Sequence, residues 1–343
     1  MGSPKENVEK ALRRENPEYV PAGIFLGGSW PVIKAGRTLE GLIGNPEETA
    51  EIFIETNKRL NADVFMVGTG STALVVKALG GEVRFNKKGA PEIMSPLIKG
   101  EADLDRLKIE DVFGNTAIKW LVETARCIDS YNKNIRLVLA SGRAPFTLAA
   151  QMYGLEETCK ALYKNKRFVH KLLEFTTEIS ITYYEEMITK GLAHGAFIAD
   201  PTASGDVISK KHFEEFVLPY LKRVIGTVRD MGKPTMLHIC GDISDRLPLI
   251  ADTGVDCVSV DTKVDIKEAK EAVGDSICIA GNVCPVDILQ FGTKEAVAGA
   301  TLDCIRKGAG KGGFILLPGC DLAAGVPEEN IKVFVDTAHQ WFY

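Results

Sequence analysis

Short apolar runs rich in β-branched residues alternate with amphipathic stretches along nearly the whole chain. The runs Ala22–Leu26, Asp63–Val67, Arg136–Ala140, Gly195–Ala199, Thr235–Ile239, Cys257–Val260, Ile277–Ala280 and Phe314–Leu317 are apolar at most positions. Strands of that kind are buried on both faces, as parallel strands are when helices cover them. Between them, helical patterns run over Glu47–Leu60, Ala117–Ser130, Lys166–Lys190, Lys210–Met231 and Lys294–Lys307. Eight strands with intervening helices and no internal repeat predict an α/β fold. The expected form is a single (β/α)8 TIM barrel over 1–343, one domain with an N-terminal extension. The segment 70–115 breaks the alternation and reads as an insertion or a pair of extra strands.

A barrel places its chemistry just after the strands, on the C-terminal face. The unusual polar residues fall there: Ser141-Gly142-Arg143, Asp200-Pro201-Thr202, His238-Ile239-Cys240-Gly241, Asp261, Gly281-Asn282 and Pro318-Gly319-Cys320. Composition narrows the class. With 45% hydrophobic and 25% charged residues in 343, the chain reads as a soluble globular enzyme. A net charge of −5 gives no basic face for phosphates, so no nucleic-acid partner is expected. No run of about 18 apolar residues occurs to span a bilayer, and no membrane partner is expected. The charged start reads as no signal peptide. Eight cysteines in such a chain suit thiols or a metal better than a disulfide framework, and the expected location is cytoplasmic.

His238 and Cys240 lie two apart at a strand end, so alternation points both side chains to one face. Cys320 follows the last strand, which closes a barrel beside the first. Two thiols and an imidazole make a soft set for Zn²⁺ with a fourth position open, the arrangement of a catalytic zinc. The plainer reading stays open on spacing alone. Cysteine is often a small core residue, and Cys127, Cys159, Cys257, Cys278 and Cys304 read that way. Cys284, in Asn282-Val-Cys-Pro, competes for a ligand position.

Longer motifs bring in a family. They are Ile198-Ala-Asp-Pro-Thr-Ala-Ser-Gly-Asp-Val-Ile-Ser, Phe213-Glu-Glu-Phe-Val-Leu-Pro-Tyr, Leu237-His-Ile-Cys-Gly and Val258-Ser-Val-Asp. Ala280-Gly-Asn-Val-Cys-Pro, Leu316-Leu-Pro-Gly-Cys, Pro327-Glu-Glu-Asn and Ala140-Ser-Gly-Arg-Ala-Pro-Phe-Thr-Leu-Ala extend the series. Together they resemble the uroporphyrinogen decarboxylase superfamily, in its methylcobamide:coenzyme M methyltransferase branch. The likeness covers almost the whole chain and is strongest from about Leu137 onward. Against the decarboxylase branch, Lys34-Ala-Gly-Arg37 only faintly echoes an Arg-rich motif, and Ala62-Asp-Val-Phe-Met-Val-Gly lacks the expected downstream Asp. The resemblance implies His238, Cys240 and Cys320 as zinc ligands.

It also implies a mechanism. A zinc-held thiolate attacks the methyl group of methyl-cobalt(III) and cobalt(I) leaves, so the substrate is a small thiol such as coenzyme M. No Asp-x-His-x-x-Gly occurs, so the corrinoid is expected from a partner corrinoid protein. Asp261 is a candidate to fill the fourth zinc position or orient His238, against a helix N-cap role before Asp265–Ala272. Asp200 and Ser204 are candidates for holding thiol or corrinoid, against turn formation. Asn282 is a candidate substrate contact, against a turn residue, and Arg143 a candidate partner of a sulfonate or corrinoid amide, against a surface ion pair. Two enzymatic rivals are a porphyrinogen decarboxylase needing no metal and a first-step demethylase moving methyl from a methoxy or methylamine donor onto the corrinoid. A non-enzymatic corrinoid-binding or chaperone module is a third, and a ligand set with an open position argues against it.

Overall fold

The computed structural model describes residues 2–25, 28–68 and 70–343. Nine strands are described: β1 Val64–Val67, β2 Val83–Arg84, β3 Glu92–Ile93, β4 Leu137–Arg143, β5 Gly195–Ala199, β6 Thr235–Ile239, β7 Cys257–Val260, β8 Cys278–Val283 and β9 Phe314–Pro318. Seven of them form one parallel sheet in the order β1-β4-β5-β6-β7-β8-β9, and β2 pairs with β3 antiparallel.

The sheet curls because alternate positions feed two cores. Met66, Leu139, Phe197, Met236, Cys278 and Leu317 belong to an inner cluster on its concave side. Their neighbours Phe65, Val138, Ile198, Leu237, Ile279 and Leu316 pack against the helices outside. Uniformly apolar strands are what such double burial requires. The N-terminal extension is the helix Pro4–Leu12, started by a Ser3–Glu6 capping box, and its Val8, Ala11 and Leu12 join the inner cluster. The Lys5 N–H donates to Ile135 O just before β4, so this helix stops the N-terminal end of the curl.

The expected strand Ala22–Leu26 is corrected. Leu26 lies outside the described residues, and the rest makes one parallel bridge, Ala22 to Leu316, not a regular strand. The contact reaches both sheet edges nonetheless. The Leu316 N–H donates to Pro21 O, the Gly23 N–H to Leu316 O, and the Asp63 N–H to Ala22 O. Pro21 brings no N–H to a ladder, which shortens what this segment can pair. A seven-stranded curled sheet with its edges linked by Pro21–Gly23 is the architecture described.

Other boundaries moved for local reasons. The β4 strand runs through Arg143 and β8 through Val283, because β5 and β9 continue to pair with them. Arg143 and Asn282 are therefore strand-end residues, although their glycine neighbours read as loop. The expected helix Lys210–Met231 is two, Lys210–Phe216 and Leu218–Asp230, broken at Val217 two residues before Pro219. The 70–115 segment holds the helix Ser71–Ala78, the β2–β3 hairpin and two short helices.

Candidate metal centre

The β6 strand sets two of the three soft ligands. Its register pairs His238 with Ala199 of β5 and with Ser259 of β7. Alternation puts His238 on the concave side above Met236, and Cys240 follows on the same side. Gly241 then adopts φ +78°, a left-handed turn in which any Cβ would collide with Asp206, so the chain can leave sharply. Cys320 arrives from β9, anchored by the Gly319 N–H donating to Val283 O at 2.9 Å.

His238 Nε2 stands 3.3 Å from Cys240 Sγ, and Cys240 Sγ stands 3.5 Å from Cys320 Sγ. All three ligand atoms lie within 4.8 Å of one another. Neighbouring donors on a tetrahedral zinc sit about 3.5–3.8 Å apart, from Zn–S and Zn–N bonds of roughly 2.3 and 2.0 Å. The residues present fit the ion. The opposite ring nitrogen, Nδ1, faces Ser259 Oγ at 3.1 Å and Ser259 O at 3.2 Å, which leaves Nε2 free to bind. Phe25 and Phe197 pack on the imidazole with centroids 5.1 and 6.2 Å away.

The two thiols are electrostatically unequal. The hydrogen bond from Cys240, with His238 beside it, holds Cys320 well below the usual thiol range despite burial. The bond to Cys320, together with burial, pushes Cys240 well above it. Two sulfurs this close, with an imidazole beside them, form a donor set suited to a soft cation.

These groups open into a cavity of about 190 Å³ bordered also by Met66, Ser71, Thr72, Arg143 and Asp321. Arg143 Nε donates to Thr72 Oγ1 at 2.8 Å, which fixes the guanidinium on the wall. Asp321 fronts the cavity with protein behind it, and burial raises its carboxyl to about 6. The β2–β3 hairpin reaches the cavity through Ala90 and Pro91.

Of the expected site residues, His238, Cys240, Cys320 and Arg143 meet at this cavity. Asp261 stands near enough to raise Cys240 by its charge, but its carboxylate accepts from Thr262 Oγ1 and the Lys263 N–H in its own turn. It is not the cap of the next helix either; Asp265 fills that place, accepting from the Lys267 and Glu268 N–H groups. Asp200 is wholly buried and accepts from the Thr147 N–H and hydroxyl at 2.8 and 2.6 Å, capping the helix Pro145–Tyr153 from another segment. Its carboxyl is raised by burial to about 6, and Oδ2 has no partner among the described residues. Ser204 accepts from the Asp206 N–H in a turn. Asn282 Nδ2 donates to Asp261 O and Val264 O, tying the loops after β7 and β8. Asp200, Ser204, Asn282 and Asp261 do not border the cavity. Cys284 faces Asp287 Oδ2 at 3.8 Å and stands apart from the three ligands.

Sequence reasoning missed Ser259 and Asp321. A lone hydroxyl in the apolar Cys-Val-Ser-Val strand and an acid directly after Cys320 were the available signs.

A curled parallel sheet with soft ligands at the C-terminal ends of β6 and β9 defines an α/β enzyme class that works on its C-terminal face. The chain belongs to the uroporphyrinogen decarboxylase family, whose profile, "Uroporphyrinogen decarboxylase (URO-D)", matches residues 3–341. It is 28% identical to the methylcobamide:CoM methyltransferase MtbA of Methanosarcina acetivorans, with 99% of each chain covered. It is 34% identical to the uroporphyrinogen decarboxylase of Trichodesmium erythraeum over 72% of this chain and 70% of that one. A solved methyltransferase from Methanosarcina mazei shares the fold, with a TM-score of 0.87 over 98% of each chain at 24% identity.

Proposed function

We propose that this chain is a zinc-dependent methyltransferase that moves a methyl group from a methylated corrinoid protein to a small thiol such as coenzyme M. The observation that carries the reading is the convergence of His238, Cys240 and Cys320 on one small cavity. End-to-end similarity to a methylcobamide:CoM methyltransferase supports it. A cavity of about 190 Å³ favours a thiol of few atoms over a porphyrinogen, since pockets for drug-sized ligands run to roughly 300–1,000 Å³.

In this reading His238 Nε2, Cys240 Sγ and Cys320 Sγ hold the ion. Zinc there would acidify an incoming thiol and keep its sulfur as a nucleophilic thiolate. Ser259 accepts the Nδ1 proton and so keeps the other nitrogen unprotonated. Arg143, fixed by Thr72, faces the far end of the thiol, and Phe25 and Phe197 keep the imidazole from rotating. The thiol sulfur bonds the methyl carbon, the carbon–cobalt pair stays on cobalt as cobalt(I), and the thiol proton goes to solvent. Asp261, Asp200, Ser204 and Asn282 act by holding the loops that frame this face.

Pro21–Gly23 serves, on the same reading, as the closing strand of an eight-stranded barrel, and 1–343 is one domain. Free cysteines at all eight positions fit a reducing, cytoplasmic setting. Among the described residues no helix is long and apolar enough to cross a membrane.

Metal analysis and a methylcobalamin assay test the proposal together. Purified protein should hold about one zinc per chain. His238→Ala, Cys240→Ala or Cys320→Ala should lose it without unfolding, because the ligands sit at the rim of the sheet. Free methylcobalamin with coenzyme M should give the cobalt(I) spectrum anaerobically. Full zinc in Cys320→Ala would overturn the ligand assignment. Reaction only with methoxy or methylamine donors would make the chain a first-step demethylase.

A further inference from the structure

The turn after β8 differs from the other loops of the C-terminal face. Pro285–Gln290 winds as a π-helical turn, and the Phe291 N–H donates to Val286 O at 3.1 Å. That bond brings Val286 and Phe291 together, 45% and 71% exposed. Single π turns are rare and gather at functional sites. This one is held firmly. Leu289 is fully buried, and Asn330 Nδ2 donates to Leu289 O and Gly292 O at 3.0 Å each.

The turn is continuous with the metal centre. It starts two residues after Val283, whose carbonyl accepts from Gly319, the neighbour of Cys320. At its other end a Cβ on Gly325 would stand 2.8 Å from Gln290 Nε2, so the loop that carries Cys320 packs against it. The loops after β6 to β9 carry more acidic than basic residues, although exposed Lys294 stands three residues beyond Phe291. Asp206 and Asp245 are paired with Lys263 and Arg246. Among the described residues Asp242, Asp261, Asp287 and Asp321, on the loops after β6 to β9, take no cationic partner, so this face keeps an acidic excess.

We propose that Val286 and Phe291, on a face with this acidic excess, anchor the protein that carries the corrinoid, whose facing surface is basic around an apolar hollow. The inference rests on the corrinoid methyltransferase reading above. A methyl group carried on another protein must reach sulfur beside Cys320, so that protein sits on this face. A second copy of the chain fits poorly, since two such faces would oppose like charges and cover both cavities. An aromatic carried on a backbone held this firmly adds no loop-ordering cost on burial, which suits an interface anchor.

The test compares two methyl donors in Phe291→Ser and Val286→Ser. One donor is free methylcobalamin, the other a purified corrinoid protein methylated on cobalt that supports wild-type turnover. KM for the protein donor should rise about 10–100-fold, as for loss of an interface anchor, with free methylcobalamin turnover and zinc content unchanged. Salt should raise the wild-type KM for the protein donor alone. An unchanged KM for the protein donor, or equal losses with both donors, overturns the docking proposal. So does a dimer that dissociates in Phe291→Ser. Wild-type protein inactive with free methylcobalamin, and with every methylated corrinoid protein screened for use as the second donor, overturns the methyltransferase reading itself.

Discussion

Ser259 is the one polar side chain in its strand, and strand register places it beside His238. Its hydroxyl and carbonyl both face Nδ1, so the ring keeps an acceptor in either case, but only the hydroxyl can be removed by substitution. Ser259→Ala should weaken zinc binding by up to about 10–100-fold, the range for lost partners of a metal-bound imidazole. Competition with a chromophoric chelator measures it without any turnover assay, and unaltered affinity would mean the carbonyl suffices. His194 carries a stability argument of the same grain. Burial, with Lys5 and Lys233 nearby, lowers it to about 4, and its Nδ1 accepts from the Val138 N–H. The unfolded chain takes up the proton near 6.5, so between about pH 6.5 and 4 it binds more protons than the native state. Stability from this group is therefore complete above that window and is lost as pH falls through it. His194→Asn keeps an acceptor and removes the titration. Urea midpoints against pH should fall less steeply in that variant, and identical slopes would rule the effect out.

At the scale of elements, Asp261 and Asp265 separate two jobs that the sequence leaves indistinct. Asp265 caps Ile266–Val273 by two N–H groups, while Asp261 closes the turn before it. Asp265→Ala should cost about 1 kcal/mol in urea unfolding. Asp261→Ala should leave that helix intact, and a helical loss of equal size in both variants would refute the division. The pair also marks what could be read beforehand. Seven of the eight expected strands are regular strands of the sheet, because residues buried on both faces must be apolar throughout, and that pattern is local. The convergence of His238, Cys240 and Cys320, and the place of Arg143 beside them, were readable because polar groups at the ends of apolar strands have few structural reasons to be there. The segment at Ala22 was not, since its pairing is set by two distant edges and not by its own residues. Nor were the roles of Asp200 and Asn282, which spend their hydrogen bonds on other segments, the first turn of the helix Pro145–Tyr153 and the loop after β7.

Across the whole molecule the two ends of the sheet do different work, and Asp63 holds the end away from the metal centre. It is 1% exposed and accepts three hydrogen bonds. They come from the Tyr19 hydroxyl at 2.9 Å, the Ala22 N–H at 2.8 Å and His339 Nε2 at 2.8 Å. One carboxylate thus joins the segment that links the sheet edges, the start of β1 and the last helix, Glu328–His339. Removing one partner of a buried, charge-assisted network leaves the others without a counterpart, at about 3–5 kcal/mol. Asp63→Ala should lose about that much by urea unfolding. Amide exchange should quicken first at residues 19–23 and 328–339, where the link is broken, while β6 and β7 stay protected. Zinc content should hold, because the ligands stand at the opposite ends of β6 and β9. Loss of zinc along with stability would mean that the sheet responds as one body. The metal centre would then depend on how the N-terminal segment joins its edges, and Phe25, on that segment and against the His238 ring, would be the contact through which it does so.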